Sequence, residues 1–246
     1  MKKSFKLILI LSVFCLFGFD TVKLSNIINK SAKITDSGER IAYISSVFKN
    51  VPYKDNTLTG NSDEKEVLVI NLKEMDCFTF LDYVEALRLS ASPDDFVMNL
   101  KEVRYFNGEV TYKSRKHFFT DWVSGEQNSV KDITPELPGG ITVEKFINRK
   151  SKNKNWLKNL PHTMRMITYI PSEKFDKDVL RLLQTGDYIG TYTDKQGLDV
   201  THTGIFIRNE GGEFLRSASS KFMKVTDYPF EKYVNGVKGI IVLRNK

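Results

Sequence analysis

The chain has 246 residues, 41% hydrophobic and 27% charged, which excludes an intrinsically disordered polymer and leaves enough apolar material for one substantial core. Its formal net charge of +7 drops to +4 when Lys2, Lys3 and Lys6 leave with the N-terminal leader. No basic face interleaved with aromatics accompanies that charge, so no nucleic-acid partner is expected.

Lys2, Lys3 and Lys6 precede a stretch, residues 7–17, that is apolar apart from Ser12. This is the basic n-region and short h-region of a secretory signal. The apolar run is about half the roughly 20 residues that span a bilayer. Residues 1–19 are therefore read as a signal peptide cleaved near 18–20, with no stable membrane anchor left on the mature chain. Cys15 is not read as a lipidation site, because the large Phe14 precedes it. The expected product is a periplasmic, monomeric protein with a single domain over residues 20–246. Cys77 is then its one remaining cysteine, so no intramolecular disulfide is possible, and an unpaired thiol in an oxidising compartment must be buried or used.

Residues 36–49 predict a helix with Ile41, Ala42, Ile44, Val47 and Phe48 as its apolar stripe. Residues 67–72, apolar and β-branched, predict a short buried strand. The period then changes, with Phe78, Leu81, Val84 and Leu87 at helical spacing and Asp76 as the N-cap. "VRYFNGEVTYKSRKHFF" predicts a hairpin turning at Asn107 and Gly108. "ELPGG" is a loop, residues 141–147 a strand or short helix, and the basic "NRKSKNKNWLKNL" a solvated surface. A helix over 174–183 precedes a strand in "TGDYIGTY". "VTHTGIFIR" and "EFLRSASS" form two strands around a turn at 209–212, and "GIIVLRN" completes an antiparallel set. This order predicts an α+β domain in which the Cys77 helix packs on an antiparallel sheet.

Cys77 is either a core thiol or a nucleophile. A helix N-terminus lowers a thiol pKa through its partial positive charge and free amides, and Cys77 is placed to use both. A base is also needed, and there are three histidines. His162, in the polar "NLPHTM", is set aside. His117, beside Arg115 and aromatics, suits either ligand contact or a strand surface. His202 alternates with Val200, Gly204 and Phe206, and is either a satisfied core residue or the base that faces Cys77. Ser217 and Ser219 on the following strand both come close enough to orient the imidazole, and spacing does not choose between them. The scattered histidines show no metal-ligand spacing and no glycine-rich phosphate cradle is present, so no metal or other cofactor is expected.

With "DCFTF" at a helix start, "LLQTGDYIG" before a strand and "HTGIFI" on the next, the chain resembles the NlpC/P60 superfamily of papain-like cysteine hydrolases. "VPYKDNTL", "EVLVINLKEMDCFTFLDYVEAL", "LKEVRYFNGEVTYKSRKHFFTDWV", "DITPELPGG", "YIPS", "GLDVTHTGIFI" and "LRSASS" resemble its DUF1460 branch, whose members look like N-acetylmuramyl-L-alanine amidases. These segments run in order from residue 51 to the C-terminus. The resemblance implies a papain-like α+β fold with residues 91–171 as a family-specific insertion. It implies Cys77 as nucleophile, His202 as general base, and Ser217 at a position where the superfamily often carries a histidine. It further implies that Tyr53, Asp76, Arg115, His117 and Trp122 line the sugar and peptide groove, with Arg115 gripping a carboxylate through two bonds. Asp76 is read first as the N-cap. The implied partners are peptidoglycan fragments, specifically anhydro-muropeptides, cut between the muramyl lactyl group and L-alanine. Two alternatives use the same residues: an endopeptidase cutting inside the stem peptide, and a non-catalytic muropeptide-binding module.

Overall fold

The computed structural model describes residues 21–125 and 128–246, so the signal-peptide reading and Cys15 lie outside the described residues. In chain order the elements are α1 (Thr21–Ser31), α2 (Ser37–Val47), α3 (Cys77–Arg88), α4 (Pro93–Arg104), β1 (Val130–Asp132), β2 (Ile141–Ile147), β3 (Arg149–Ser151), β4 (Lys154–Asn155), β5 (Thr163–Pro171), α5 (Lys177–Leu182), β6 (Tyr188–Tyr192), β7 (Val200–Asn209), β8 (Gly212–Ser219), β9 (Lys224–Pro229), α6 (Phe230–Val234) and β10 (Gly239–Asn245). Side-chain caps fix several helix starts: Asp36 accepts from the Glu39 amide, Ser92 from the Asp95 amide, and Asp176 from the Asp178 and Val179 amides. Among the described residues no helix is long and apolar enough to cross a membrane.

The main sheet is antiparallel in the order β2-β5-β10-β6-β7-β8-β9. One edge of β10 is shared, with Gly239 and Ile240 pairing to β5 and Leu243 to Asn245 pairing to β1. Both faces of the sheet are apolar. Tyr188, Ile205, Ile207, Ala218, Ile241 and Leu243 face the core of α1 to α4, while Ile189, Phe206, Leu215, Ile240 and Val242 face α5 and α6. A strand covered on both sides reads as a continuous apolar run, which is why "YIGTY" and "GIIVL" carry no alternation. The small β3–β4 ribbon carries part of the basic stretch predicted as solvated surface. Residues 91–171, expected as a family-specific insertion, supply β1, β2 and β5 to the main sheet.

Helix α3 is buried from Thr79 to Arg88, all round rather than on one stripe. Its polar groups are therefore paired. Asp82 Oδ2 accepts from Arg104 Nε at 2.7 Å, Glu85 takes both Nε and Nη2 of Arg88 at 2.7 and 2.8 Å, and the Tyr188 hydroxyl donates to Glu85 at 2.6 Å. One of these ion pairs, Asp82 with Arg104, ties the middle of α3 to α4.

Two predicted elements are corrected. Residues 67–72 form no strand: Val69 O accepts from Arg104 Nη1 at 2.7 Å and the Asn71 amide donates to the Tyr83 hydroxyl at 2.9 Å, so side chains of α3 and α4 satisfy the backbone that a sheet would otherwise pair. The hairpin around Asn107 and Gly108 is reduced to a short turn: α4 ends at Arg104 and a 3₁₀ turn covers Phe106–Gly108. The two turn residues do adopt positive φ, 54° and 64°, but one bridge, Tyr105 to Arg115, is all that pairs across them. The predicted 174–183 helix starts at Lys177, where Asp176 caps it, after a 3₁₀ turn at Ser172–Lys174.

Candidate active site

Asp76 stands in the extended conformation before α3, and its Oδ1 accepts from the amides of Phe78 and Thr79 at 3.0 and 2.7 Å. Thr79 Oγ1 in turn accepts from the Asp76 amide at 3.0 Å, completing a capping box. Asp76 therefore sits as the N-cap. The cap uses the second and third amides of the helix and leaves the Cys77 amide without a hydrogen bond to another described residue. A free N–H beside the thiol is the donor that an oxyanion needs.

Cys77 and His202 line one cavity of about 350 Å³, together with Phe78, His117, Trp156 and Asp199. Strand β7 reaches the start of α3 through Thr203, whose hydroxyl donates to Cys77 O at 2.8 Å. Thr203 lies on the α3 side of β7, as do Ile205 and Ile207 further along. The adjacent His202 borders a second cavity of about 380 Å³, which also holds Ser217, Ser219 and Tyr233. His202 thus lies where the two cavities meet.

The expectation of a thiol lowered by the helix start is corrected. Burial pushes the Cys77 thiol up to about 11, the Asp76 carboxylate adds to the rise, and hydrogen bonds from Thr203 oppose it. Burial also pushes His202 down to about 4. At neutral pH the pair is a thiol and a neutral imidazole, so the proton rests on sulfur.

His117 borders the same cavity. A carbonyl only accepts, so its Nε2–H donates to Tyr112 O at 2.8 Å, and burial lowers it to about 4. A histidine with a folded pKa below its unfolded value of about 6.5 is protonated more readily when unfolded. Each ring therefore adds stability that is full above about pH 6.5 and is lost as pH falls toward 4. The imidazole proton resonances of His117 and His202 are expected to titrate near 4; midpoints at the ordinary 6.5 would contradict the burial described. The stability difference between the native protein and His117→Gln is expected to shrink over the same interval.

Tyr53 pairs with Met75 in a short parallel bridge, and burial together with the Cys77 and Asp76 charges raises its phenol. It lines neither the Cys77 cavity nor the neighbouring one. Ser217 is buried next to His202's cavity, while Ser219 accepts from the Phe222 amide at 3.3 Å. Among the described residues neither hydroxyl bonds the imidazole.

Two further proposed groove residues lie elsewhere. Arg115 does not present its fork to a groove: Nε donates to Glu66 Oε1 at 3.0 Å, Nη2 bonds Glu66 Oε2, and Nη2 also reaches Gly60 O at 2.8 Å. The buried Glu66 already occupies the carboxylate position that a ligand would have taken. Trp122 is 3% exposed and packs between Phe78 and Tyr188, with ring centroids at 6.0 and 5.2 Å. It belongs to the core behind the cavity.

Four residues near the site were missed by sequence reasoning. Thr203 ties β7 to Cys77 and could have been found as the inward neighbour of His202. Asp199 opens β7, accepting from Thr120 Oγ1 and N at 2.9 and 2.8 Å and from the Val200 amide at 2.7 Å. Trp156 came from the stretch read as solvated surface; it is half-exposed on the cavity rim, its Nε1–H donating to Gln196 O at 2.9 Å. Tyr233, whose ring lies 6.4 Å from that of His202 and whose hydroxyl bonds Thr191 Oγ1, has no signal in the sequence. No three of His, Cys, Asp and Glu converge into a metal site among the described residues.

Residues 43–240 match the AmiA-like family model, described as N-acetylmuramoyl-L-alanine amidase-like. A crystal structure of an N-acetylmuramoyl-L-alanine amidase from Bacteroides uniformis is similar at 30% identity and a TM-score of 0.72, over 85% of this chain and 99% of that one. LPG0564 of Legionella pneumophila, a DUF1460 protein, shares the fold at 22% identity and a TM-score of 0.73, over 92% and 94% of the two chains. A Bacteroides fragilis protein proposed to be a xylanase is similar at 30% identity and a TM-score of 0.67, over 81% and 98%. No curated protein matches the chain.

Proposed function

The chain belongs to the AmiA-like family of N-acetylmuramoyl-L-alanine amidase-like proteins, and we propose that it is a cysteine amidase that cuts peptidoglycan fragments between the muramyl lactyl group and L-alanine. We place it with the papain-like NlpC/P60 hydrolases and read it as exported to the periplasm. The observation that carries the proposal is the shared cavity: the thiol at the N-terminus of α3 and the one histidine on β7 face the same space.

In this reading the Cys77 Sγ attacks the lactyl carbonyl carbon as His202 takes the thiol proton. The carbonyl oxygen gains the charge, next to the free Cys77 amide at the helix start. His202 then gives its proton to the alanine nitrogen as the C–N bond breaks, leaving a thioester on Cys77. Water, with His202 as base, hydrolyses the thioester and restores the thiol. A neutral imidazole and a protonated thiol are the resting forms, and with the ring near 4 and the thiol near 11 the first transfer runs uphill and needs the developing oxyanion to be stabilised as sulfur attacks.

A xylanase reading fits the cavity poorly. Glycoside hydrolysis needs two carboxyl groups roughly 5 to 9.5 Å apart across the sugar bond. The Cys77 cavity has one carboxylate in its lining, Asp199, and three hydrogen bonds hold it to the wall.

Digestion of purified anhydro-muropeptides followed by mass analysis tests the proposal. The expected products are the free anhydro-disaccharide and a peptide beginning at L-alanine. Fragments cut inside the stem peptide would move the scissile bond and make the protein an endopeptidase. Intact substrate would remove the hydrolase reading.

A further inference from the structure

The cavity of about 380 Å³ on the far side of His202 has no role in the bond-breaking steps above. It differs from the Cys77 cavity in chemistry as well as place. Its wall carries hydroxyls from Thr191, Ser217, Ser219 and Thr226 and the ammonium-bearing Lys221 and Lys232, with no aspartate or glutamate. Both lysines are exposed at its rim, and neither is in an ion pair with a described residue. Lys221 is held over the Phe222 and Tyr228 rings, 5.5 and 5.9 Å from their centroids. The other cavity is walled by Phe78, Phe118, Phe119, Leu157 and Leu198 and has no lysine.

The order of bond changes assigns the two halves of a substrate to these spaces. The acyl half stays on sulfur after the C–N bond breaks, so it must occupy the cavity that contains Cys77. The departing nitrogen receives its proton from His202, so the departing half extends from the imidazole on the side away from sulfur. That side is the second cavity, which touches His202 and not Cys77. A peptide released from an acyl group carries a C-terminal carboxylate, and any acidic residue in it adds another.

Resting on the amidase reading, we infer that the second cavity is the subsite for the departing peptide and that Lys221 and Lys232 recognise its carboxylates. Two ammonium groups without acidic partners complement such a ligand, and the serine and threonine hydroxyls supply donors to its amides. Because the lysines are exposed, each contributes modestly, and the pair together is expected to favour a carboxylate over its neutral amide by about fivefold to tenfold.

The test measures direct binding of the tripeptide L-alanyl-γ-D-glutamyl-L-lysine to the purified full chain, by heat or by chemical-shift titration, in free-acid and fully amidated forms. No turnover is required. The free acid is expected to bind about fivefold or more tighter, and Lys221→Gln with Lys232→Gln is expected to abolish the difference while circular dichroism and Tm stay native. Equal binding of the two forms by the native protein, or a preference that persists in the doubly substituted protein, would overturn the inference. Peptide preference with no muropeptide cleavage would instead refute the amidase reading and leave the subsite standing. Cleavage without peptide preference would do the reverse.

Discussion

Cys77→Ala is expected to reduce release of L-alanyl peptide from muropeptides by at least about a thousandfold, because the covalent route is lost and only binding and oxyanion contacts remain. Product formation is followed by chromatography under single-turnover and steady-state conditions. Stability should stay within about 1 kcal/mol of native, since one half-buried sulfur atom is removed from the wall of an open cavity. Loss of activity with a native Tm assigns the effect to chemistry. Retention of more than a tenth of the rate would exclude Cys77 as nucleophile.

Asp82→Ala is expected to destabilise the fold by about 3 to 5 kcal/mol, the range for removing one partner of a buried ion pair. Asp82 and Arg104 are 3% and 1% exposed. Arg104 Nε would lose its bond of 2.7 Å, keeping Nη1 on Val69 O, while Nη2 has no hydrogen-bond partner already. The charge would be left buried between α3 and α4 without its carboxylate partner. Urea unfolding of Asp82→Ala, Arg104→Met and Asp82→Leu with Arg104→Met separates the pair from its parts. The doubly substituted protein should recover much of the loss, because two apolar side chains do not carry an unpaired charge. If Asp82→Ala costs less than about 1 kcal/mol, the ion pair does not hold α3 in place.

The two predictions meet at the same helix, and that helix was the most legible part of the sequence. Asp76 followed by Cys77 and apolar residues at helical spacing announces a capped start, and the cap is there. The strands carrying "TGDYIGTY", "VTHTGIFIR", "EFLRSASS" and "GIIVLRN" were also readable, since long apolar and β-branched runs between glycines have few other fates. Helix α4 was not read, because attention went to the Asn107–Gly108 turn signal that follows it, and only Val103 and Arg104 of the stretch taken as a hairpin belong to the helix. Its cap, Ser92 followed by Pro93, was the overlooked sign.

Side-chain roles were less legible than elements. Arg115 offered the right functional group for a carboxylate, but its partner is Glu66, 49 residues earlier in the chain, and no local pattern connects them. Trp122 shows the same limit: an aromatic residue looks identical in sequence whether it lines a groove or fills a core. The thiol's environment went against the local rule, because burial and the neighbouring Asp76 outweigh the helix start. Residue type and spacing offered Cys77 and His202 as candidates, and the fold puts both in one cavity lining, whereas their protonation and the chemistry of the two cavities depend on what folds around them.

The proposed reaction passes through a covalent acyl-enzyme on Cys77. Acid-quenching the protein milliseconds to seconds after mixing with anhydro-muropeptide, followed by intact-mass measurement and peptide mapping, tests it directly. The predicted result is a transient mass increase equal to the anhydro-muramyl acyl group with its attached sugar, located on the peptide that contains Cys77 and absent from Cys77→Ala. Peptide release at full rate with no adduct at any time point, or an adduct on another residue, would contradict it.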